Sequence, residues 1–415
     1  MSQSPRSFAA LRHRPTALYI GGASLAMMGD NIEHVITYWV LWELFESPLL
    51  AGFAVVSHWV PHLLFSVYFG ALADRYDCRR IIQVAQGLFI LASVCWGVIF
   101  ITGIIQPWMA GALLLVHGFA SAIWLPAEQV LLYDVAGRST LSSAVRLNAT
   151  GRNLGMLAGP VVGGALLLLV GPELGILLNT LCFLPMTVLM ARLPYTGHTR
   201  DGMLAPSTRP TLRDVLGSVT LLRGRPVLVA MMLLGASASL FIGTALQPVM
   251  PEFVALLHVG NEGLAYTLLL AAMALGAVIG GLLLEATGML RTTVRTAIVF
   301  IAGYGAAVLV FALSGSYALS LLALLAAGFC SLVGMSTELT VVQLVAPSAS
   351  RGIILGLHGM ATMGGRAGSG LAVGVLGTLL GVQPAIALVA GALVAVAGLL
   401  LLFVNARGVQ RGEIT

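Results

Sequence analysis

Long runs of apolar residues, separated by short polar loops, recur along the whole 415-residue chain. A helix of about 18 or more such residues is long enough to cross a lipid bilayer. The short strands of alternating polarity that are typical of membrane barrels are not found. The pattern therefore predicts an all-α integral membrane protein with twelve transmembrane helices. We place these spans near residues 17–43, 49–72, 81–102, 107–132, 142–170, 174–192, 226–250, 263–285, 293–313, 317–344, 352–380 and 384–405.

The composition agrees with this pattern and excludes a large water-facing surface. The chain is 58% hydrophobic and 9% charged, whereas soluble domains have about 25% charged residues. The four cysteines show no paired metal spacing and no disulfide framework. We expect the lipid bilayer to be the main partner of this surface.

The basic residues indicate how the chain crosses the membrane. All 21 are arginines, and those outside the predicted spans fall in the two tails and in the even-numbered loops. Because cytoplasmic loops carry an excess of positive charge, both termini are predicted to be cytoplasmic. The net charge of +5 is thereby explained by topology and does not indicate nucleic acid as a partner.

The longest polar stretch divides the chain into two hydrophobic halves. We expect an N-terminal six-helix bundle over 1–192, a cytoplasmic linker over 193–225 and a C-terminal six-helix bundle over 226–415. Within the linker, "TLRDVLGSVTLLRG" at 211–224 is predicted to form a short amphipathic helix on the cytoplasmic face.

The two halves repeat each other. "GALADRYDCRR" at 70–80 aligns with "GLLLEATGMLR" at 281–291, 211 residues later, and Glu128 aligns with Glu338 at an offset of 210. A duplicated six-span unit is typical of secondary transporters, whose binding site lies between the repeats near the middle of the membrane.

The segment at 70–80 resembles the loop signature between spans two and three of the major facilitator superfamily. The matching positions are Gly70, Leu72, Asp74, Arg75, Arg79 and Arg80. The resemblance covers essentially the whole chain and implies a fold of two six-helix bundles. It also implies that the acid and the arginines of this loop close the cytoplasmic side by contacting the start of span eleven.

A second motif lies in span five, where "GMLAGPVVGG" at 155–164 resembles the signature of the exporters of this superfamily. Its characteristic residues are Gly155, Gly159, Pro160, Gly163 and Gly164. From the residues alone, a helix-packing stripe would look the same. Together with "LAMMGDNI" in span one and "SRGIILGL" in span eleven, the motif resembles the drug and siderophore efflux branch, which includes bacterial enterobactin exporters.

One position departs from the superfamily pattern. Many proton-coupled exporters have an arginine in span four, but Leu114 occupies that position here and His117 occupies the position of the usual glutamine. We therefore expect proton coupling to depend on other residues.

Span one contains a polar face within an apolar helix. At about 100° per residue, its polar side chains fall within roughly 140° of the circumference. These side chains include Asp30, Glu33, His34 and Tyr38. Intramembrane ionisable residues usually face a cavity and have a function, so we predict that they bind substrate or protons. The alternative is that Glu33 and His34 only pair with each other or with a neighbouring helix.

Further histidines and arginines lie within the predicted spans. His58 and His62, one turn apart, are predicted to contact protons or substrate or to serve packing; the alternative is a metal site that Asp30 or Glu33 completes, although we predict no metal there. Arg152 and Arg366 are predicted to lie at similar depths and to bind carboxylate or catecholate oxygens; the alternative is an internal salt bridge with Asp30 or Glu33. His117 and His358 are interpreted as structural.

The two repeat-related acids, Glu128 and Glu338, are predicted near the cytoplasmic ends of spans four and ten. With Arg75, Arg146 and Arg351, they are predicted to form the breakable salt bridges of an inner gate.

These features predict a secondary transporter that exports an amphipathic small molecule, drug-like or siderophore-like, by proton-coupled alternating access. Alternatives are an importer of an anionic metabolite, a lipid flippase of the same fold, or a non-transporting membrane sensor or scaffold. No phosphate-binding loop or zinc-protease signature is found, so we expect no enzyme and no cofactor. We expect a monomer in the bacterial inner membrane, with the proton as coupling ion.

Overall fold

A computed structural model of the chain describes residues 8–45, 48–200, 217–243, 262–287 and 290–406, together with 246, 250, 253–254 and 256–257. Over these residues the structure is helical and contains no β-strand.

Five long helices form the first half of the chain. They are α1 (Arg14–Phe45), α2 (Pro48–Arg75), α3 (Cys78–Thr102), α4 (Pro107–Ala136) and α5 (Leu141–Arg192). The described part of the second half contains α6 (Pro226–Phe241), α7 (Glu262–Thr287), α8 (Val294–Leu313), α9 (Tyr317–Val345), α10 (Arg351–Gly359), α11 (Gly365–Leu380) and α12 (Val382–Ala406).

Seven helices of the described chain are long and apolar enough to cross a membrane. They are Cys78–Thr102, Pro107–Ala136, Leu141–Arg192, Leu268–Thr287, Val294–Leu313, Tyr317–Val345 and Val382–Ala406. The count of twelve spans and the division of the chain into two bundles stay predictions.

α5 contains the two predicted spans 142–170 and 174–192. At Gly171 the backbone leaves the helical region, with φ of 79° and ψ of 167°, and Pro172 follows. A positive φ is accessible to glycine at little cost. The chain therefore turns between the two spans, although no long loop separates them.

The predicted eleventh span is not one regular helix. A π-helical turn, Met360–Gly364, separates α10 from α11, and such turns are frequent at functional sites. The predicted linker helix at 211–224 lies partly outside the described residues, and its described part forms a 3₁₀ turn, Ser218–Leu222.

Glycines bring α1 and α5 close together. A methyl group on Gly155 would overlap the Ser24 carbonyl oxygen, and one on Gly159 would overlap the Asn31 side chain. Gly163 faces Ile32 of α1, whereas nothing lies within 4 Å of a methyl group on Gly164. Most glycines of the span-five motif thus have a packing role, since small residues allow helices to approach.

Glycines also bring α2 of the first half against α10 of the second. A methyl group on Gly70 would overlap the Gly352 carbonyl oxygen, and one on Gly356 would overlap that of Ser66. The loop-signature glycine therefore lies in a contact between the two halves.

Candidate substrate and ion site

The polar face of α1 meets His117 of α4. The Nε2 atom of His117 lies 2.8 Å from Asp30 Oδ1, and its Nδ1 atom lies 2.9 Å from Glu33 Oε1. His117 and Glu33 are 3% and 2% exposed. One imidazole therefore joins two buried carboxyl groups through both of its nitrogens. The sequence interpretation of His117 as structural missed this position.

The contacts of Glu33 extend this group of residues to two further helices. Ser93 of α3 donates a hydrogen bond of 2.7 Å to Glu33 Oε2, and the Asn179 amide of α5 donates one of 3.4 Å to Ser93 Oγ. The result is a hydrogen-bonded chain from α5 through α3 and α1 to α4. Buried polar groups that are connected in this way hold one another in place.

Two more histidines surround Asp30. His34 Nδ1 lies 3.8 Å from Asp30 Oδ2, and the rings of His34 and His58 are 5.0 Å apart. The His34 side chain is 20% exposed and its ring contacts that of Tyr38 at 5.2 Å. Glu33 and His117 are thus enclosed, whereas His34 is accessible. We call Asp30, Glu33, His34, His58 and His117 the imidazole cluster.

His62, predicted together with His58, lies at the edge of this cluster. Its Nε2 atom is 3.1 Å from the Ser121 hydroxyl of α4. Between the two histidines, the Trp59 ring packs edge-on to His58 at 4.6 Å. The guanidinium of Arg366, on α11, lies over the Trp59 ring at 4.9 Å. A cation of the second half therefore reaches the first half beside the imidazole cluster.

Arg152 does not bind either acid of span one and binds Glu128 of α4 instead. Its Nη1 atom donates a hydrogen bond of 2.6 Å to Glu128 Oε2, and Asn148 donates one of 3.0 Å to Glu128 Oε1. Since Asn148 and Arg152 are one turn apart on α5, both side chains face Glu128 of α4. The alternative of a salt bridge from Arg152 to Asp30 or Glu33 is therefore wrong.

The predicted pairing of the inner gate also needs correction. Arg146 binds Glu285 of α7, with Nη2 2.9 Å and Nε 3.1 Å from Glu285 Oε2, and Ser143 donates a short hydrogen bond to the other oxygen. Because Arg146 and Arg152 are six residues apart and so point about 120° apart around α5, Arg146 points to α7 rather than to Glu128. Glu285 is therefore part of a contact between the halves.

Glu338 also has an unexpected partner. The Nε2 atom of His358 lies 2.9 Å from Glu338 Oε1, and both residues are buried. Arg351, the predicted gate residue, lies with its guanidinium over the Tyr133 ring at 3.6 Å. The interpretation of His358 as structural missed this buried acid–histidine pair.

The loop-signature acid contacts the second half directly. Asp74 accepts hydrogen bonds from the backbone N–H groups of Gly352 and Ile353, the latter at 2.8 Å. These groups lie at the start of α10, where the helix dipole favours a negative charge. This is the place where the resemblance puts the partner of Asp74; the role of the contact as a gate stays a prediction.

The three arginines of the loop signature lie in different environments. Arg79 binds Asp77, the N-cap of α3, at 2.7 Å, and the Leu193 carbonyl oxygen at 2.6 Å, while Arg80 is exposed. Arg79 therefore fastens the start of α3 to the chain that follows α5. Arg75 lies at the end of α2, next to Asp74.

The fold is that of known membrane transporters. The structure matches human organic anion transporter MFSD10 (TM-score 0.72, 15% identity, 93% of this chain and 99% of that one). It also matches the proton:xylose symporter XylE (TM-score 0.73, 14% identity, 94% of each chain). A bacterial homologue of the iron transporter ferroportin matches with a TM-score of 0.69 at 18% identity, over 95% of this chain and 100% of that one.

Curated relatives are distant in sequence. The staphyloferrin A transporter of Staphylococcus aureus is 25% identical over 171 residues, which are 40% of this chain and 43% of that protein. The enterobactin exporter EntS of Citrobacter koseri is 26% identical over 345 residues, 80% of this chain and 78% of that protein. The similarity thus spans less than half of the first relative and most of the second.

A family model covers nearly the complete chain. The model described as "Transmembrane secretion effector" matches residues 6–413. Together with the duplicated loop acids and the helical fold, this match identifies a multi-pass membrane transporter rather than an enzyme. The chain belongs to the transmembrane secretion effector family of the major facilitator superfamily.

Proposed function

We propose that this protein exports an amphipathic, siderophore-like small molecule by proton-coupled alternating access. In this proposal it crosses the bacterial inner membrane twelve times, as two six-helix bundles with both termini in the cytoplasm. The observation that carries the proposal is the pair of contacts between the halves, from Asp74 to α10 and from Glu285 to Arg146. Both contacts consist of hydrogen bonds between residues of the two halves. Such hydrogen bonds can break and re-form as the halves rock against each other.

The substrate class is inferred from the residues between the halves and from the relatives. Trp59 offers an aromatic surface, and Arg366 above it carries a charge that favours carboxylate or catecholate oxygens. The curated relatives are named for a siderophore transporter and an enterobactin exporter. A siderophore-like molecule combines the same two chemical features.

The ion step is assigned to the imidazole cluster, because Leu114 stands at the position of the usual span-four arginine. In the proposed cycle, Asp30 accepts a proton from the outside as substrate leaves and releases it to the inside. Since His117 touches both Asp30 and Glu33, a proton on one acid changes the hydrogen bonds of the other.

The test uses inside-out vesicles and measures substrate accumulation together with proton movement, for a panel of siderophores, dyes and antibiotics. We expect uptake into these vesicles that an uncoupler abolishes. Asp30→Asn should abolish gradient-driven transport while substrate binding persists, whereas Glu173→Gln, a matched acid-to-amide change outside the predicted spans, should transport normally.

Two results would contradict the proposal. Transport of a metabolite in the opposite direction would favour the importer, and movement of lipid between leaflets would favour the flippase. Unimpaired gradient-driven transport by Asp30→Asn would remove the assigned ion step.

A further inference from the structure

Three imidazoles from three different helices converge beside Asp30. His34 on α1, His58 on α2 and His117 on α4 each offer a ring nitrogen, and these nitrogens all lie within 4.8 Å of one another. The ring centroids are 4.9 Å apart for His34 and His117 and 5.7 Å apart for His58 and His117. Imidazole is a preferred ligand of late first-row transition metals such as Zn²⁺.

Asp30 supplies a fourth ligand on the same side. Its two oxygens lie 2.8 Å from His117 Nε2 and 3.8 Å from His34 Nδ1. Zinc binds imidazole nitrogen and carboxylate oxygen at about 2.0–2.2 Å. Ligand atoms of one tetrahedral site are then about 3.4 Å apart, so small rotations of these side chains are sufficient to surround one ion.

Glu33 orients the central imidazole toward this point. It accepts the His117 Nδ1 hydrogen bond at 2.9 Å, while Ser93 fixes its other oxygen. A carboxylate behind a ligating histidine is the usual second-shell arrangement of metal sites, because it fixes the tautomer and the ring orientation. The Nε2 atom of His117 therefore faces Asp30 and the other two rings.

The charge of the cluster favours a cation. Two buried acids share one imidazole partner, His117, the chain contains no lysine, and no arginine pairs with Asp30 or Glu33 within the described ranges. Buried charges are costly unless they are paired or bind a metal. The His58 Nδ1 atom is also buried without a hydrogen-bond partner in the described part of the chain.

We propose that His34, His58, His117 and Asp30 bind one divalent transition-metal ion, with Zn²⁺ as the reference ion. The ion reaches the site past His34, which is 20% exposed, whereas His117 is 4% exposed. This site differs from the pairing of His58 with His62 that the sequence suggests, because the His62 ring is 6.3 Å from that of His58 and binds Ser121. The proposal does not depend on the direction of transport; at Asp30 the metal ion competes with the proton of the proposed ion step.

The test measures metal binding by the purified full-length protein in detergent, without substrate or gradient. After removal of metal with a chelator, Zn²⁺ is titrated calorimetrically and Co²⁺ is titrated by its visible d–d absorption. We expect one ion per chain and a Co²⁺ spectrum of low coordination number. Glu33→Gln should weaken binding about 10–100-fold, and His58→Gln by at least as much.

Controls separate this result from misfolding and from other sites. His58→Gln removes a ring nitrogen that has no hydrogen bond to lose, so it is expected to fold even if His117→Gln does not. His62→Gln and the cytoplasmic His13→Gln should bind Zn²⁺ as the unchanged protein does. Absence of stoichiometric binding, binding that His58→Gln leaves intact, or loss of binding in His62→Gln would each overturn the proposal.

Discussion

The two halves of the molecule carry acids at matching positions but bind them differently. Asp74 in the first half binds backbone N–H groups at the start of α10, whereas Glu285 in the second half binds Arg146 and Ser143. Glu128 binds Arg152, whereas Glu338 binds His358. The repeat thus preserves where the acids lie but not what neutralises them.

The imidazole cluster has no such counterpart. At the repeat offset of 211 residues, Phe241 stands where the first half has Asp30, and Gly328 where it has His117. The first half therefore contains the ionisable centre, and the second half contributes Arg366 across the boundary. The buried acid–imidazole centre thus belongs to one half, whereas the contacts of Asp74 and Glu285 need both halves.

The largest loss of stability is expected on substitution of His117, which has no counterpart in the second half. His117→Gln leaves two buried acids without their shared imidazole, and removing one partner of a buried ion pair costs about 3–5 kcal/mol. We expect a clear drop in the thermal unfolding temperature, measured by tryptophan fluorescence in detergent, and loss of transport.

The double variant His117→Gln with Glu33→Gln is the matched control. Because it also neutralises one acid, it should recover much of the lost stability. Equal unfolding temperatures for the unchanged protein and His117→Gln would show that the cluster is not a stabilising centre.

A smaller change in free energy is expected when the contact between Glu285 and Arg146 is weakened. Glu285→Gln removes the charge that binds Arg146, so this contact between the halves should open more often. A cysteine at position 66 reports this opening, because Ser66 is buried on α2 against α10. In a background without the native cysteines, we expect about tenfold faster labelling by an impermeant maleimide, equivalent to about 1.4 kcal/mol.

Asp74→Asn gives the matched comparison on the other half. An asparagine oxygen still accepts one of the two backbone hydrogen bonds, but its amide NH₂ group faces the other backbone N–H, so labelling should increase here as well. Labelling that neither substitution changes would mean that these contacts do not hold the halves together.

The sequence predicted the elements of this site better than their partners. The helical period placed Asp30, Glu33 and His34 on one face of α1, and the structure brings all three beside α4. It did not identify His117, because a single histidine in the apolar run "LLLVHG" has no periodic signal of its own. Which residue of α4 faces α1 depends on the rotation of two packed helices, and one sequence does not encode this locally.

The predicted gate residues illustrate the same point. The loop signature identified Asp74, and repeat alignment set Glu285 opposite it. Yet the prediction grouped Glu128 with Arg75, Arg146 and Arg351, whereas its partner is Arg152, because Arg146 and Arg152 point about 120° apart around α5. Composition and spacing indicate that a buried acid needs a cation, but only the packing of α4, α5 and α7 determines which arginine reaches it.

The smallest change in stability is expected when the Glu128–Arg152 pair is made to resemble the Glu338–His358 pair. Arg152→His would give Glu128 the kind of partner that Glu338 already has. An imidazole binds a carboxylate well only while it carries a proton, whereas an arginine is always charged. The loss of stability should therefore be small at acidic pH and rise to about 1 kcal/mol as the pH is raised and the imidazole deprotonates, because Asn148 still donates a hydrogen bond to Glu128. Unfolding temperatures measured across a pH series check this, with His13→Gln as the control for a histidine change elsewhere. A loss of stability that stays constant with pH would mean that Arg152 acts through its size and its contact with Trp124, and that its charge contributes little to the difference between the halves.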